Sequence, residues 1–197
     1  KLCEALRNQH GFDAISIMPT NLYGPGDNYH PVNSHVMAAL ISRFSKASIE
    51  CKPFVECWGS GKPLREFLHV DDLGDAVVFC LENWQPSDKN SPKDLYGNSL
   101  NHLNVGTGKD ISIKKLAKKI AYFSEFNGEI IWNDSKPDGT PKKQLDIAKI
   151  SKLGWLPKIE LDDGIQQTIT LYKKGGAKRQ GGAKRQRGKE ARRHGGK

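Results

Sequence analysis

Apolar residues recur along this chain with two periods, one helical and one strand-like, and the spacing alternates between them. Leu2, Ala5 and Leu6 share a helical face and Gly11 follows, which predicts the end of a helix over residues 1 to about 10 with glycine as its stop. Ala14 to Met18, AISIM, is a short β-rich run closed by Pro19, and it predicts a buried strand. Residues 20–35, TNLYGPGDNYHPVNSH, break both periods and read as one long loop, of a length that inside a compact domain is usually functional. Helical spacing resumes over Val36 to Lys46, and Phe54 to Trp58 and Arg65 to Val70 predict strands. Either Asp71 or Asp72 is placed to cap the helix DLGDAVVFCLEN, and residues 85–101 read as a polar surface loop. His102 to Val105 is a strand candidate, Ser112 can cap IKKLAKKIAYF, and Glu129 to Trp132 returns to strand spacing. A further helix ends at Gly154, and Asp162 can cap IQQTITLYKK. Interleaved strands and helices define an α/β class.

Composition changes this picture at one end only. The 197 residues carry 31 Lys and Arg against 22 Asp and Glu, a net charge of +9. Residues 173–197 hold 11 of the basic residues and one acid, Glu190, which leaves 20 basic against 21 acidic over residues 1–172. The body is therefore near neutral, and charge gives it no reason to bind nucleic acid. Residues 173–197 repeat GGAKRQ and carry no apolar side chain larger than Ala, so they predict a disordered basic tail. Such a tail has the electrostatics of a polyanion (RNA) binder, and that is the alternative function its sequence offers. Residues 1–172 form one domain unit with 37% apolar residues in the whole chain. Cys3, Cys51, Cys57 and Cys80 show neither a C-x-x-C pair nor finger spacing, which excludes a sequence-level zinc site and fits a reducing cytoplasm. No apolar run is long enough for a membrane helix.

Generic chemical motifs are mostly absent. Gly24/Gly26, Gly59/Gly61 and Gly106/Gly108 supply two glycines of a dinucleotide fingerprint, but Tyr29, Leu64 and Ile111 stand where the third would be. GSGKP and GTGKD lack the spacing and the terminal Ser or Thr of a phosphate loop, so all three pairs read as turns. His69, Asp71 and Asp72 could be imagined as metal ligands, but an aspartate ahead of an apolar helical run is explained by capping. Trp58 is either a core strand residue or a platform for a base or sugar.

Taken in order, MPTNLYGPGDNYHPVNSHV, WGSGKPLREFLHVDDL, HLNVGTG and SKPDGTPKK resemble the C-terminal half of the GDP-L-fucose synthase family, within the extended short-chain dehydrogenase superfamily. The resemblance runs from Lys1 to about Leu171. It implies the C-terminal part of a Rossmann-like domain plus a small α/β substrate domain, NADP as cofactor, a GDP-sugar substrate and a homodimer. The implied reaction epimerises GDP-4-keto-6-deoxy-D-mannose at two carbons and reduces it with NADPH to GDP-L-fucose. Epimerisation beside a carbonyl needs a proton removed from one face and delivered to the other, which a histidine titrating near neutrality can perform. The resemblance gives that role to His35, which read alone is a helix-entry residue. It also places Pro19, Thr20, Asn21, Leu22 and His35 at the nicotinamide end of the cofactor. Arg43, Trp58, Arg65, Asp138 and Lys143 match substrate contacts, the two arginines suiting a pyrophosphate because a planar guanidinium pairs phosphate oxygens in bidentate fashion.

The family reduces with a Tyr and a Lys four residues apart, and here Tyr23, Tyr29, Tyr96, Tyr122 and Tyr172 are followed at that spacing by Asp27, Asn33, Leu100, Phe126 and Gly176. The Gly-rich cofactor loop and the family's cysteine partner of His35 are missing too, so the chain reads as a C-terminal piece of such an enzyme. Mixed with NADPH and GDP-4-keto-6-deoxy-D-mannose, the 197-residue chain is expected to cause no fall in NADPH absorbance. A substrate-dependent fall would mean that another proton donor lies within residues 1–172.

Overall fold

The computed structural model describes residues 1–31 and 33–175, and the GGAKRQ repeats with their expected polyanion contacts lie almost wholly outside them. In chain order the elements are α1 (Leu2–His10), β1 (Ser16–Pro19), β2 (Asn21–Tyr23), α2 (Val36–Ile49), β3 (Phe54–Trp58), β4 (Leu64–His69) and α3 (Val70–Asn83). There follow β5 (His102–Val105), β6 (Asp110–Ser112), α4 (Ile113–Phe123), β7 (Glu129–Asn133), β8 (Lys142–Lys143) and α5 (Ala148–Leu153). A last helix, α6, occupies 161–175.

Strand pairing is mainly parallel, as interleaved helices require. β1 runs beside β5 from Ser16↔His102 to Pro19↔Val105, and β3 beside β7 from Phe54↔Glu129 to Trp58↔Asn133. β4 is the central strand: it pairs with β2 and β8 in parallel and with β6 antiparallel. Its alternation divides two cores. Phe67 joins Met37, Leu40, Ile41 and Phe44 of α2 and Leu116 and Ile120 of α4, while Leu68 joins Ala76, Cys80, Leu103, Val105 and Ile150. The α2 residues recur at helical spacing, so one stripe faces the core, each large side chain contributing roughly 1.5–3 kcal/mol by burial.

The glycine stops stand as expected: Gly11 and Gly154 close α1 and α5 in the left-handed region, at φ 61 and 108°. Ser112 Oγ accepts from Lys115 N–H at 3.2 Å to cap α4. Five expectations need correction, the first being burial of the AISIM strand, since β1 has Ser16 and Ile17 half-buried and Met18 and Pro19 exposed. Residues 21–23 of the long loop form a strand, because their backbone finds an edge on β4. The cap of α3 is His69, whose Nδ1 accepts from Asp71 N–H at 3.3 Å. Asp72 is buried instead and accepts from the N–H groups of Lys158 and Ile159 at 3.1 and 3.0 Å. Asp162 lies inside α6 and pairs with Lys119 at 2.7 Å, and α6 carries helix through residues 173–175, which the sequence assigned to the tail. Lys173 there reaches the Ser124 carbonyl at 3.4 Å.

Glu66 on β4 is completely buried. Its Oε1 accepts from Thr107 and Gly108 N–H at 2.6 and 2.8 Å, and its Oε2 from Leu145 N–H at 2.8 Å. No ion pair reaches it among the described residues, so backbone dipoles, with a long contact from Thr107 Oγ1 at 3.5 Å, solvate its charge. The GTG turn thus does hold an anion, but an internal one. A Cβ on Gly106 would come within 2.2 Å of Oε1, which makes glycine obligatory there. The Glu66 carbonyl also accepts from Asn21 Nδ2 at 2.7 Å and Thr20 Oγ1 at 3.3 Å. Glu66→Gln sets an amide N–H against at least one of the Thr107, Gly108 and Leu145 N–H groups in either orientation and is expected to destabilise the chain by about 2 kcal/mol or more. Urea denaturation measures this, and an unchanged midpoint would refute it.

Candidate functional site

Residues nominated from the sequence fall into two groups. The first lies where β1 passes into β2. Thr20 N–H donates to Val105 O at 3.0 Å, and the side chains of Thr20 and Asn21 are both turned to the Glu66 carbonyl. Pro19 is exposed at the C-terminal end of β1 and Leu22 is half-buried. His35 is exposed as the N-terminal flank of α2, in extended backbone, with no side-chain hydrogen bond into the helix. Between them the loop is fixed at both ends. Gly24, at φ 148°, passes so near Val70 that a Cβ would meet it at 2.2 Å. Tyr29 packs on Tyr172 of α6 with ring centroids 4.5 Å apart, and the Tyr172 hydroxyl meets Ser42 Oγ of α2 at 3.0 Å. Burial, helped by Asp27, pushes Tyr29 up to about 12, so it packs as a neutral ring. No hydrogen bond joins His35 to residues 19–22 among the described residues.

The second group converges. Trp58 ends β3 with 58% of its surface exposed, which rules out a core place for it. Arg43 Cζ stands 4.9 Å from the Trp58 ring centre and Lys136 Nζ 5.6 Å from it. The turn after β3 is locked to the 134–141 segment: Asp138 accepts from Ser60 N–H at 2.9 Å and Ser60 Oγ at 2.6 Å. Gly59, at φ 75°, leaves room for that carboxylate, since a Cβ would lie 2.3 Å from Oδ1. Arg65 follows on β4, where a Cβ on Gly139 would sit 3.0 Å from its Nη2, and Lys143 is its register partner on β8. Residues 43, 58, 65, 138 and 143 therefore gather around one turn. The thiol of Cys57 beneath them is pushed up to about 11 by burial and stays protonated.

Chemically the cluster offers an aromatic face beside two guanidinium groups and two ammonium groups, a combination that suits a planar base joined to an anion. Ser60 and Lys136 were missed by sequence reasoning. The Gly-Ser-Gly turn was a signal for Ser60, but nothing local linked it to a residue 78 positions away. Among the described residues no cluster of His, Cys, Asp and Glu could hold a metal, and no helix is long and apolar enough to cross a membrane.

The chain's mainly parallel strand pairs, interleaved with helices, make this a Rossmann-like α/β protein. Residues 1–105 match the NAD dependent epimerase/dehydratase family, and the chain belongs to it. It is 48% identical over 174 residues to GDP-L-fucose synthase 1 of Arabidopsis thaliana, covering 88% of this chain and 50% of that protein. The solved GDP-6-OMe-4-keto-L-xylo-heptose reductase from C. jejuni is similar at TM-score 0.77 and 33% identity, over 88% of this chain and 57% of that one. A GDP-mannoheptose C4 reductase from Campylobacter jejuni, solved with NADP bound, matches at TM-score 0.69 and 32% identity over 87% and 56%. The motif resemblance agrees with these similarities, and the chain spans about half the length of the curated relatives it matches.

The Ser60 hydroxyl first, and its amide second, hold the Asp138 carboxyl below its ordinary value of 3.8. A depressed carboxylate contributes stability that is present above 3.8 and is lost as pH falls through the lower, folded value. Ser60→Ala is expected to return Asp138 towards 3.8 and to speed amide exchange over 134–141. A carbon-detected titration of Asp138 checks the shift; an unmoved midpoint would show that Ser60 does not hold it.

Proposed function

We propose that this chain carries the GDP-sugar site and the nicotinamide-facing edge of an NADP-dependent epimerase/reductase that converts GDP-4-keto-6-deoxy-D-mannose to GDP-L-fucose. The convergence of Arg43, Trp58, Arg65, Asp138 and Lys143 on one turn, from segments up to 100 residues apart, carries this reading. Similarity to GDP-L-fucose synthases over nearly all of the described residues supports it.

Arg43 and Arg65 neutralise the pyrophosphate, with Lys143 as a third cation on the neighbouring strand. The base stacks on Trp58, displacing one of the cations that cover the ring in the free chain. Asp138, spoken for by Ser60, holds the 134–141 segment over the site, its remaining lone pairs free to accept from ligand hydroxyl or amino groups. His35, exposed and free of a cap bond, exchanges the proton at the carbon beside the sugar carbonyl. The residues around β1 fit a nicotinamide: Thr20 and Asn21 are fastened to β4, leaving a rigid backbone edge with Pro19 exposed. Residues 19–22 and His35 would hold NADP there, and the cofactor when bound supplies the hydride for C4.

GDP titrated into the 197-residue chain is expected to bind saturably and to quench tryptophan emission. Arg65→Ala should weaken that binding about 10- to 100-fold, the worth of a charge-assisted contact. Equal GDP affinity in the variant would remove Arg65 from the site.

A further inference from the structure

A second cavity, of about 390 Å³, lies between β4, β6, the start of α4 and residues 157–161. None of Arg43, Trp58, Arg65, Asp138 and Lys143 lines it. Phe67, Ile111 and Leu161 form apolar walls, and Tyr23 joins them. Tyr23 is only 2% exposed and is held edge-on by Phe67 and His69, with ring centroids 6.5 and 5.3 Å away. Its hydroxyl abuts Gly164, where a Cβ would lie 2.1 Å from the oxygen, yet takes no hydrogen-bond partner among the described residues. The oxygen is not itself sealed from solvent, so it opens onto the cavity, where an acceptor supplied from outside the chain can reach it.

The surroundings select that acceptor. Burial first, then Asp72, Asp162 and Asp163, push Tyr23 well above its ordinary value, which keeps it a donor. The same carboxylates repel an anion at the hydroxyl and favour a neutral oxygen. At the cavity's polar lining Lys109 is paired with Glu160 at 3.5 Å, and Asp110 Oδ2 lies 3.0 Å from the Lys142 ammonium but is buried and takes no hydrogen bond among the described residues. Lys115 also lines it and has no ion-pair partner among the described residues. The cavity thus presents an unpaired cation, apolar ring-lined walls and the neutral hydroxyls of Tyr23 and Ser112 as donors, in a volume at the lower end of small-molecule sites. We propose that it binds a small cyclic monocarboxylate bearing a neutral carbonyl, with the carboxylate paired to Lys115 and the carbonyl oxygen accepting from the Tyr23 hydroxyl.

Ligand-observed NMR titration of the full chain with 4-acetylbenzoate, and with 4-ethylbenzoate, which lacks the carbonyl, tests this. Tyr23→Phe removes a hydroxyl that has no protein partner, so the variant should melt at or above the parent temperature. It should bind 4-acetylbenzoate about five-fold more weakly or worse and 4-ethylbenzoate unchanged, whereas Lys115→Gln should weaken both acids. GDP at saturation should displace neither. The proposal is overturned if the parent chain shows no saturable binding up to about 10 mM, a level a fragment of this size should clear. It is equally overturned if Tyr23→Phe weakens both acids alike, or if GDP displaces the probe, which would put it in the Trp58–Arg65 cluster.

Discussion

A single buried carboxylate holds this fold in register. Glu66 has no counter-ion among the described residues, and its charge is met by three backbone N–H groups from the GTG turn and from Leu145. Its own carbonyl receives Thr20 and Asn21, so β2, β4, the turn after β5 and the segment after β8 all meet at one residue. Charged acceptors with several donors are strong and directional, and removal of any partner leaves a buried group unsatisfied. That gives the centre little freedom to slip.

The proposed substrate cluster inherits this rigidity. Side chains alternate along β4, so fixing Glu66 and Leu68 towards one core sets Arg65 and Phe67 towards the other side. Arg65 therefore emerges beside β8, with Lys143 in register and Gly139 against its guanidinium. The rest of the cluster is softer: Arg43, Lys136 and Trp58 are held by cation–π contacts near solvent, and Asp138 by one serine. On the function proposed above, a stiff arginine beside a pliable aromatic ring would let a ligand reorganise the exposed part while its anion meets a preset charge.

Much of this was legible in the residues. The helical stripe of α2, the glycine stops at Gly11 and Gly154 and the Ser112 cap are local effects, and local patterns showed them. What escaped depends on distant partners. β6 and β8 are three and two residues long and exist because β4 offers them edges, which no periodicity records. Asp72 and Asp162 sit where caps belong, but the N–H groups of 158–159 and the Lys119 ammonium claim them. The site residues came from motif resemblance, and Trp58 remained undecided until its exposure was known. Ser60 and Lys136 acquire meaning only through Asp138 and Trp58 across the fold.

Hydrogen exchange followed residue by residue, with and without GDP, tests most directly whether a rigid carboxylate hub presents a preset nucleotide-sugar site. The amides of Thr107, Gly108 and Leu145 should exchange only through global unfolding in the free chain, and GDP should slow exchange chiefly at residues 59–62 and 134–143. Fast exchange at those three amides in the free chain, with protection appearing only when GDP is added, would show that the ligand builds the frame and would contradict the account.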